Sequence, residues 1–511
     1  MWEAVGSWRV AFAAGAPRDE IARLLESRDA GDGLASAREI KSGRLRQVLR
    51  VSFESGGAFV KSYPGVGVLD RFVPWPRRSP AHQEFDNLKR VRASGLRAAE
   101  PLCVAERRRG PWLAESLLVT REVAAQATLG DTLTCADSAT RDSLLTELGT
   151  SVRRLHDAGM WHRDLHRGNL LVSESDSGRF SVLVDLQKLR RLPVSLPAVL
   201  RVLDLAMASG TEAGEARMLV AGYRGAADDR LTARVLRAAA RRRKRRLRSR
   251  GRRCVVPSTG FRIEDSGALR VYRRADIETH AVLDAVERGG EEGRVDRVRG
   301  GPPPGPAPRA RDRGQGAREA GAPVEAAVAV TELGGSAWPW PGRSDGMRAW
   351  RGAHAALLRD FDTPAPLALV EKRSAARARR SWLVTRWEET EPLLQLGDAD
   401  RTRESVRRAG HSLARLHRSG LHYRDLDPDL LRVRPGGDGR VVLTGLDRLH
   451  VKRRVRVASR ASDLAKLARH VERGAPGLPR TELALLLSTY RDGGEAADAA
   501  WREVFADLES G

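Results

Sequence analysis

Three polar residues with the spacing that phosphoryl transfer requires occur between His162 and Gln187. Asp164 and Asn169 lie five residues apart in the run HRDLHRGNLLV, and a second acid, Asp185, follows an apolar strand. Transfer of a phosphoryl group from ATP needs a carboxylate at the acceptor hydroxyl, and an asparagine and a second carboxylate on Mg²⁺. A His-Arg-Asp triplet alone would mean little, but the complete array predicts this chemistry.

Each residue of the array has a predicted role. Asp164 would accept or orient the proton of the acceptor hydroxyl, a contribution of about 10²- to 10⁴-fold. Asn169 offers Mg²⁺ a neutral oxygen and Asp185 a charged one, the ligand types that this ion takes together with phosphate. His162 and Arg163 are expected to be structural, with His162 packed under the loop and Arg163 paired with a nearby acid.

Upstream residues could hold the nucleotide. Lys61 lies in a predicted strand, FVKSY, and Glu84 lies near the start of a helix predicted over 82–93. In kinase-like sites a strand lysine holds the α- and β-phosphates and pairs with a helix glutamate. Glu122 follows the predicted strand 117–121 and could present its backbone to adenine.

Two features differ from protein kinases. The sequence has no G-x-G-x-x-G loop to cover the phosphates, and Lys41-Ser42-Gly43 stands in its place. After Asp185 the chain reads LQK, and only a short segment precedes Asp204. Protein kinases use a long activation segment there to bind a peptide and to be switched. The short segment therefore favours a sugar, a lipid or another small acceptor.

The chain contains a diverged internal repeat. Five short motifs recur in the same order: LVTR at 118–121 and 383–386, LHDAG at 155–159 with LHRSG at 416–420, RDL at 163–165 and 424–426, DLA at 204–206 and 463–465, and YR at 223–224 and 490–491. Two copies of one fold explain this order better than composition does.

We therefore predict an α+β chain with two protein-kinase-like bilobal domains in tandem. Each would have a small antiparallel sheet lobe and a helical lobe. Residues 1–255 would form the active domain and 324–511 the second. A Pro/Gly/Arg-rich flexible linker is predicted over 296–323. The segment 256–295, which includes a hairpin at 261–277, could belong to either copy.

The second copy has lost most of the predicted site. Tyr423 aligns with His162, Asp425 with Asp164, Leu430 with Asn169, Gly445 with Asp185 and Ala349 with Glu84, while Gly335 to Trp340 stands where the lysine strand is expected. Without both metal ligands, the charge of the transferring phosphoryl cannot be neutralised. Asp447 could supply one ligand if its strand slipped. The copy is predicted to be a pseudokinase that scaffolds or regulates the first.

Charge and cysteine content narrow the function further. The net charge is +24, and ten of the thirteen residues Arg241–Arg253 are basic. This run is either a solvated helix face or a site for an anionic membrane or phosphorylated saccharide. Nucleic-acid binding is not expected, because stacking aromatics and groove-reading motifs do not accompany the run. Cys103, Cys135 and Cys254 show no disulfide or zinc spacing, which favours a cytoplasmic protein.

On these motifs the chain resembles the lipopolysaccharide kinase family, bacterial enzymes that phosphorylate Kdo or heptose. The resemblance covers residues 37–230. It implies ATP and Mg²⁺ as cofactors, with Asp164 as the base, Lys61 on the phosphates, and Asn169 and Asp185 on the metal. It also implies a cytoplasmic enzyme at the inner membrane face that phosphorylates a sugar hydroxyl of a lipopolysaccharide core or a similar glycolipid or saccharide.

Two other functions remain open. One is a kinase of a protein or another small molecule, including an antibiotic-type phosphotransferase. The short segment after Asp185 disfavours a protein substrate, and Arg163 stands where the antibiotic class has glycine in its His-Gly-Asp loop. The other is a non-catalytic module that binds nucleotide without turnover.

Overall fold

The computed structural model describes residues 1–30, 37–41, 46–64, 78–110, 112–125, 127–175, 178–210, 212–258, 260–289, 296–300, 324–335, 344–374, 377–393, 399–436, 439–452, 454–472 and 480–492. They form two compact units, one of residues 1–244 and one that begins at Arg245. The predicted phosphate loop at Ser42-Gly43, most of the predicted linker (301–323) and the stretch Ser336 to Trp340 lie outside the described residues.

The first unit opens with a seven-stranded antiparallel sheet of order β1-β2-β6-β7-β5-β4-β3. Its strands are β1 (Glu3–Val5), β2 (Trp8–Phe12), β3 (Arg38–Lys41), β4 (Gln47–Phe53), β5 (Gly56–Pro64), β6 (Pro101–Arg109) and β7 (Trp112–Arg121). The predicted hairpin is present, but Glu54 and Ser55 form its turn, and Gly56 (φ 117°) already pairs with Phe53. Alternate residues of β5, including Ala58 and Val60, are buried.

Two helices accompany this sheet, α1 (Arg18–Ala30) and α2 (Pro80–Ala93). The Ser79 side chain caps α2 by accepting a hydrogen bond from the His82 N–H, and Pro80 occupies the first turn, where it leaves no bond unmade. Phe85, Leu88 and Val91 recur at helical spacing and are buried. The helix therefore presents one apolar face to the core and fixes the position of Glu84.

The rest of the first unit is mainly helical. Its helices are α3 (Leu129–Cys135), α4 (Ser138–Asp157), α5 (Ala198–Ala208), α6 (Ala213–Arg224) and most of α7 (Asp229–Gly251), which continues past Lys244. Its short strands are β8 (Ala127–Thr128), β9 (Met160–Trp161), β10 (Leu170–Ser175), β11 (Gly178–Leu183) and β12 (Arg190–Arg191). Helices α4 and α6 approach closely at Gly149 and Gly222, where a Cβ atom would overlap the backbone of the facing helix. Strands β9 and β12 pair with each other, one before and one after the loop that carries Asp164.

The second unit has a six-stranded antiparallel sheet of order β13-β14-β17-β18-β16-β15. The strands are β13 (Phe261–Ser266), β14 (Leu269–Arg274), β15 (Asp296–Gly300), β16 (Val324–Gly334), β17 (Pro366–Ser374) and β18 (Arg377–Arg386). Helices α8 (Thr279–Gly289) and α9 (Asp345–Leu357) accompany it. Trp350 of α9 is fully buried, and its indole N–H donates to the Cys254 carbonyl at 2.8 Å.

The remaining elements of the second unit follow the same order as in the first. They are β19 (Glu391–Pro392), α10 (Ala399–Ser419), β20 (Leu421–Tyr423), β21 (Leu431–Val433), β22 (Val441–Leu443), β23 (Leu449–Val451), α11 (Val457–Glu472) and α12 (Arg480–Asp492). Strands β20 and β23 pair as β9 and β12 do. Among the described helices, none combines the length and the apolar character that crossing a membrane requires.

The segment 256–295 supplies elements to the second sheet. Its predicted hairpin is present as β13 and β14, and β14 pairs with β17. The hairpin and α8 precede the other strands of their sheet as β1, β2 and α1 do in the first unit. The predicted linker 296–323 begins with β15, which pairs with β16. The chain between these strands therefore joins two neighbours of one sheet.

Candidate active site

Lys61 and Glu84 form a close ion pair. Lys61 Nζ on β5 lies 2.5 Å from Glu84 Oε1 on α2, and the Glu84 side chain is buried. The Tyr63 hydroxyl, two residues along the same strand, donates to Glu84 Oε2 at 2.7 Å. Burial and the neighbouring carboxylate both raise the pKa of Tyr63, so its proton stays on the hydroxyl. Both oxygens of a buried carboxylate are thus satisfied, as a buried charge requires.

Asp185 ends the run after β11 in a left-handed conformation, with φ 61° and ψ 57°. This conformation is costly for a residue other than glycine, which is typical of a functional position. Arg46, just before β4, donates to both carboxylate oxygens at 3.0 and 2.9 Å. Burial would raise the pKa of Asp185, but Lys61 and Arg46 outweigh it and hold the pKa below its usual range. The carboxylate is therefore charged at neutral pH.

The buried carboxylate of Asp204, on α5, accepts hydrogen bonds from the backbone of the loop that carries Asp164. The backbone N–H groups of His162 and Arg163 donate to the Asp204 carboxylate at 2.9 and 3.2 Å. Arg163 is another non-glycine residue at positive φ, 66°. Asp204 is fully buried, and its second partner is His156 Nε2 at 3.3 Å. This buried acid thereby fixes the backbone from which Asp164 projects.

Two cations lie near the Asp164 carboxylate. Lys188 Nζ, in the turn after Asp185, is 2.7 Å from Asp164 Oδ2, and Arg242 of α7 is 4.0 Å from Oδ1. Asn169 donates its amide N–H to the Asp164 backbone carbonyl at 3.1 Å. That bond fixes the nitrogen end of the amide, so the oxygen is the end that could face a metal.

These groups converge on one place. Lys61 and Lys188 both lower the pKa of Asp185, and Lys188 also contacts Asp164. Burial lowers the pKa of His162 and outweighs the nearby carboxylates of Asp204, Asp164 and Asp185, which raise it, so the ring is neutral. The structure therefore brings the predicted phosphate, metal and base residues together.

Two predicted residues make other contacts. The Glu122 N–H donates to the Gly57 carbonyl at 2.8 Å, and its side chain pairs with Arg50 at 2.8 Å. Its contact with adenine stays a prediction. The Arg163 guanidinium lies over the Trp161 ring, 5.1 Å from its centre. The pairing of Arg163 with a nearby acid was expected; Asp204, the acid beside it, accepts a hydrogen bond from the Arg163 backbone N–H.

Four residues near the site were not among those predicted. Asp204 carried a signal, because its DLA motif recurs in the second copy with the same buried contacts: His417 Nε2 lies 3.2 Å from Asp463 Oδ2. Lys188 directly follows the metal motif in sequence, which is a weaker signal. Arg46 and Arg242 come from distant elements, and only the tertiary structure places them.

Strand register locates the lysine position in the second unit. Lys61 of β5 pairs with Leu118 of β7, and Thr331 of β16 pairs with Leu383, the repeat equivalent of Leu118. Thr331 therefore stands at the lysine position, and the assignment of that position to Gly335 through Trp340 was wrong. The predicted position lay at least four residues too late in the chain, because the sequence alone does not fix strand register.

The other equivalents in the second unit agree with the alignment. Ala349 lies five residues after the helix cap Ser344, as Glu84 lies five residues after Ser79. Gly445 adopts φ 57° and ψ 49°, the left-handed conformation of Asp185, so its strand has not slipped toward Asp447.

Leu430 occupies the space beside Gly445. A Cβ atom added at Gly445 would overlap Leu430 Cδ2. A cavity of about 380 Å³ remains in this unit, lined in part by Thr331, Ala349 and Gly445. The four positions that align with Lys61, Glu84, Asn169 and Asp185 therefore carry small or aliphatic side chains, and three of them line the cavity.

Comparisons with known proteins extend these observations. No protein with a curated description matches the chain. One similar solved structure, described as WaaP in complex with acyl carrier protein, has 19% sequence identity and a TM-score of 0.35, and the match covers 46% of this chain and 98% of that one. The model of the lipopolysaccharide kinase (Kdo/WaaP) family matches residues 72–196 and 337–490, together more than half of the chain. The protein therefore belongs to the lipopolysaccharide kinase (Kdo/WaaP) family.

Proposed function

We propose that the first unit of this protein, which is a kinase as a member of its family, transfers a phosphoryl group from ATP to a hydroxyl group. The acceptor would be a sugar hydroxyl of a lipopolysaccharide core or of a similar glycolipid or saccharide. The observation that carries this proposal is the convergence of the Lys61–Glu84 pair, Asp185 and Asp164 on one site. A phosphoryl-transfer enzyme works mainly by positioning and by neutralising charge, which is what such a set of groups does.

The donor set fits Mg²⁺ bound together with a nucleotide. Mg²⁺ commonly takes one or two carboxylates and completes its shell with water and phosphate oxygens. Asp185 would supply the charged oxygen and Asn169 the neutral one. The metal would neutralise charge on the phosphates, while Lys61, held by Glu84, would position the α- and β-phosphates.

Asp164 would receive or orient the proton of the acceptor hydroxyl. Its backbone is fixed through Asp204, so the carboxylate would meet the acceptor in a constant position. Lys188 lies beside it and would stabilise negative charge as the phosphoryl group moves between the oxygens. The residues of this chain thus cover positioning, proton acceptance and charge neutralisation.

Two features support a small or saccharide acceptor. Strand β12, which pairs with β9, follows directly on the Asp185 turn, and α5 begins at Ala198. This short connection gives a peptide acceptor little surface. A kinase of a protein or another small molecule remains the alternative.

The basic helix supports an anionic acceptor or surface. Residues Arg241–Lys244 of α7 are exposed, and Arg242 reaches to 4.0 Å from Asp164. We propose that the run Arg241–Arg253 holds the enzyme at an anionic membrane on the cytoplasmic side. Near such a surface each Lys or Arg contributes about 1 kcal/mol, which salt screens. Binding to vesicles containing phosphatidylserine should fall as salt rises, and salt-independent binding would contradict this role.

We further propose that the two units are tandem copies of one kinase-like fold and that the second is non-catalytic. Thr331, Ala349, Leu430 and Gly445 offer neither a cation for the phosphates nor oxygen ligands of the Asn169–Asp185 type. The second unit would then scaffold or regulate the first.

The test is detection of phosphorylated product. The full chain is incubated with labelled ATP, Mg²⁺ and a panel of acceptors: lipopolysaccharide core saccharides, a protein mixture and aminoglycosides. The proposal expects label on the saccharide with the wild type and not with Asp164→Asn. Label on protein or aminoglycoside alone would support the alternative kinase. Nucleotide binding with no labelled product from any acceptor would indicate a non-catalytic module.

A further inference from the structure

An open groove of about 1070 Å³ lies between helix α2 and strand β12 of the first unit, away from the catalytic residues. Four arginines line it: Arg78, Arg90, Arg190 and Arg191. Arg78 lies just before α2 and Arg90 lies within it, while Arg190 and Arg191 form β12. The groove therefore joins the helix that carries Glu84 to the segment that follows Asp185.

Positive charge in this groove exceeds its negative charge. Asp86 is the acid partner of both helix-side arginines, at 2.5 Å from Arg78 and 3.9 Å from Arg90. In the part of the chain that the structure describes, no carboxylate forms an ion pair with Arg190 or Arg191. Among the described residues, Asp86 is thus the carboxylate that pairs with two of the four guanidinium groups, and the other two form no such pair. Guanidinium groups recognise phosphate oxygens through paired N–H donors, so the groove has the chemistry of a phosphate site.

A buried asparagine connects the groove to the Asp185 turn. Asn87 of α2 donates its amide N–H to the carbonyls of Leu186 and Leu189, at 2.9 and 3.2 Å. Its oxygen accepts from Arg90 at 3.3 Å. The Gln83 oxygen, in the amide orientation that pairs the two groups, accepts from both terminal nitrogens of the Arg190 guanidinium. A ligand held by arginines of both elements would therefore pull α2 toward the turn.

The second unit offers an internal comparison, because three of the four groove arginines have no arginine equivalent there. Counting from the helix caps and from Gly445, Ala355 replaces Arg90, His450 replaces Arg190 and Val451 replaces Arg191, while Arg343 stands at the position of Arg78.

Gly352 replaces Asn87, and a Cβ atom there would lie 3.1 Å from the Leu446 carbonyl. Helix α9 thus sits directly on the turn that Asn87 bridges in the first unit. The second unit therefore lacks both arginines of the strand after this turn and the asparagine that joins the helix to it.

We propose that the arginine groove binds a phosphate group and that this binding fastens α2 to the Asp185 turn. The ligand class is a phosphate monoester or free phosphate. The effect on catalysis rests on the proposed function, because α2 positions Glu84 and the turn positions Asp185. Anion binding itself does not depend on that function.

Titration calorimetry of the full chain with inorganic phosphate at low salt tests the binding. The wild type should bind, and Arg190→Gln/Arg191→Gln should bind at least tenfold more weakly. A second pair, Arg78→Gln/Arg191→Gln, should give the same loss and guards against a folding defect in the first. Arg154→Gln, an exposed arginine of α4, should bind as the wild type does. Equal binding by the wild type and both double variants would overturn the proposal.

Three further measurements test where the phosphate binds, what its binding does to α2 and whether a lipid headgroup binds more tightly. Lys61→Met should retain phosphate binding, whereas its loss would assign the anion to the nucleotide site and overturn the groove proposal. Hydrogen exchange of the α2 amides should slow on adding phosphate in the wild type and not in Arg190→Gln/Arg191→Gln. Vesicles of phosphatidic acid in phosphatidylcholine, compared with free phosphate, show whether a lipid headgroup binds more tightly. Retained phosphate binding in a chain that phosphorylates nothing would contradict only the proposed function.

Discussion

The Lys188 ammonium lies 2.7 Å from the Asp164 carboxylate, although the two residues come from different loops. Lys188 is 61% exposed, so the pair should contribute at most about 1 kcal/mol to folding. The Lys188 ammonium would instead act in catalysis, by stabilising negative charge during phosphoryl transfer.

We therefore predict that Lys188→Ala lowers kcat about 10- to 100-fold and shifts the unfolding midpoint little. Lys188→Arg should keep part of the activity because the charge remains. Arg448→Ala, the equivalent change in the second unit, is the matched control and should leave kcat unchanged. A wild-type kcat in Lys188→Ala would show that the Lys188 ammonium takes no part in phosphoryl transfer.

Arg46 shares the Asp185 carboxylate with any metal that this residue would bind. Its two hydrogen bonds, at 3.0 and 2.9 Å, occupy lone pairs on both oxygens. Removing Arg46 should make these oxygens fully available, so Arg46→Ala should lower the Mg²⁺ concentration for half-maximal activity about tenfold or more, since a charged hydrogen bond is worth roughly 1.5–3 kcal/mol. Arg38→Ala, an exposed arginine of the same sheet, should have no effect. A higher Mg²⁺ requirement in Arg46→Ala would mean that Arg46 serves the bound nucleotide.

Leu430 and Gly445 form a coupled pair in the second unit. Gly445→Asp should destabilise the protein by roughly 1–3 kcal/mol, because the new side chain overlaps Leu430 and takes a left-handed conformation. Leu430→Asn/Gly445→Asp should recover part of that loss, which a double-mutant cycle in denaturant measures. Additive effects of the two changes would show that the residues are not coupled.

Acid should destabilise the second unit through His354. Burial lowers the pKa of His354 to about 3, and the ring packs against Trp350 and Phe261. The unfolded chain binds this proton near pH 6.5 and the folded chain does not, so stability is present above pH 6.5 and falls as the pH drops toward 3. Between pH 7 and 5 the loss should be roughly 2 kcal/mol.

The measurement is unfolding of the wild type and of His354→Leu at both pH values. Leucine has a similar volume and no titrating group, so the variant should lose less stability on acidification than the wild type does. Identical pH dependence of the two proteins would contradict the assignment to His354. His162 and His417, whose pKa values are also lowered by burial, contribute in the same direction in both proteins.

The catalytic loop could be predicted because its residues are adjacent in sequence. Asp164 and Asn169 need one turn to meet, and Lys61 and Glu84 lie on consecutive elements. Arg46 could not be found in this way, because its position depends on how a separate hairpin folds over the site. The role of Asp204 likewise depends on a helix forty residues downstream of the loop.

The sequence also did not show which strands pair with each other. The hairpin β13–β14 could be recognised from alternation and turn residues, but its partner β17 lies about a hundred residues later. Composition identified the Pro/Gly-rich stretch 301–323 without revealing that the strands on both sides belong to one sheet. The position of Thr331 required the register of β16 against β18.

The central claim is that transfer depends on Asp164 in the first unit and not on its repeat equivalent. The most direct test compares the rate of phosphate transfer from ATP to the saccharide acceptor in Asp164→Asn and Asp425→Asn of the full chain. We predict a loss of about 10²- to 10⁴-fold for Asp164→Asn and no change in kcat for Asp425→Asn. Equal losses in the two variants, or a loss confined to Asp425→Asn, would contradict the account.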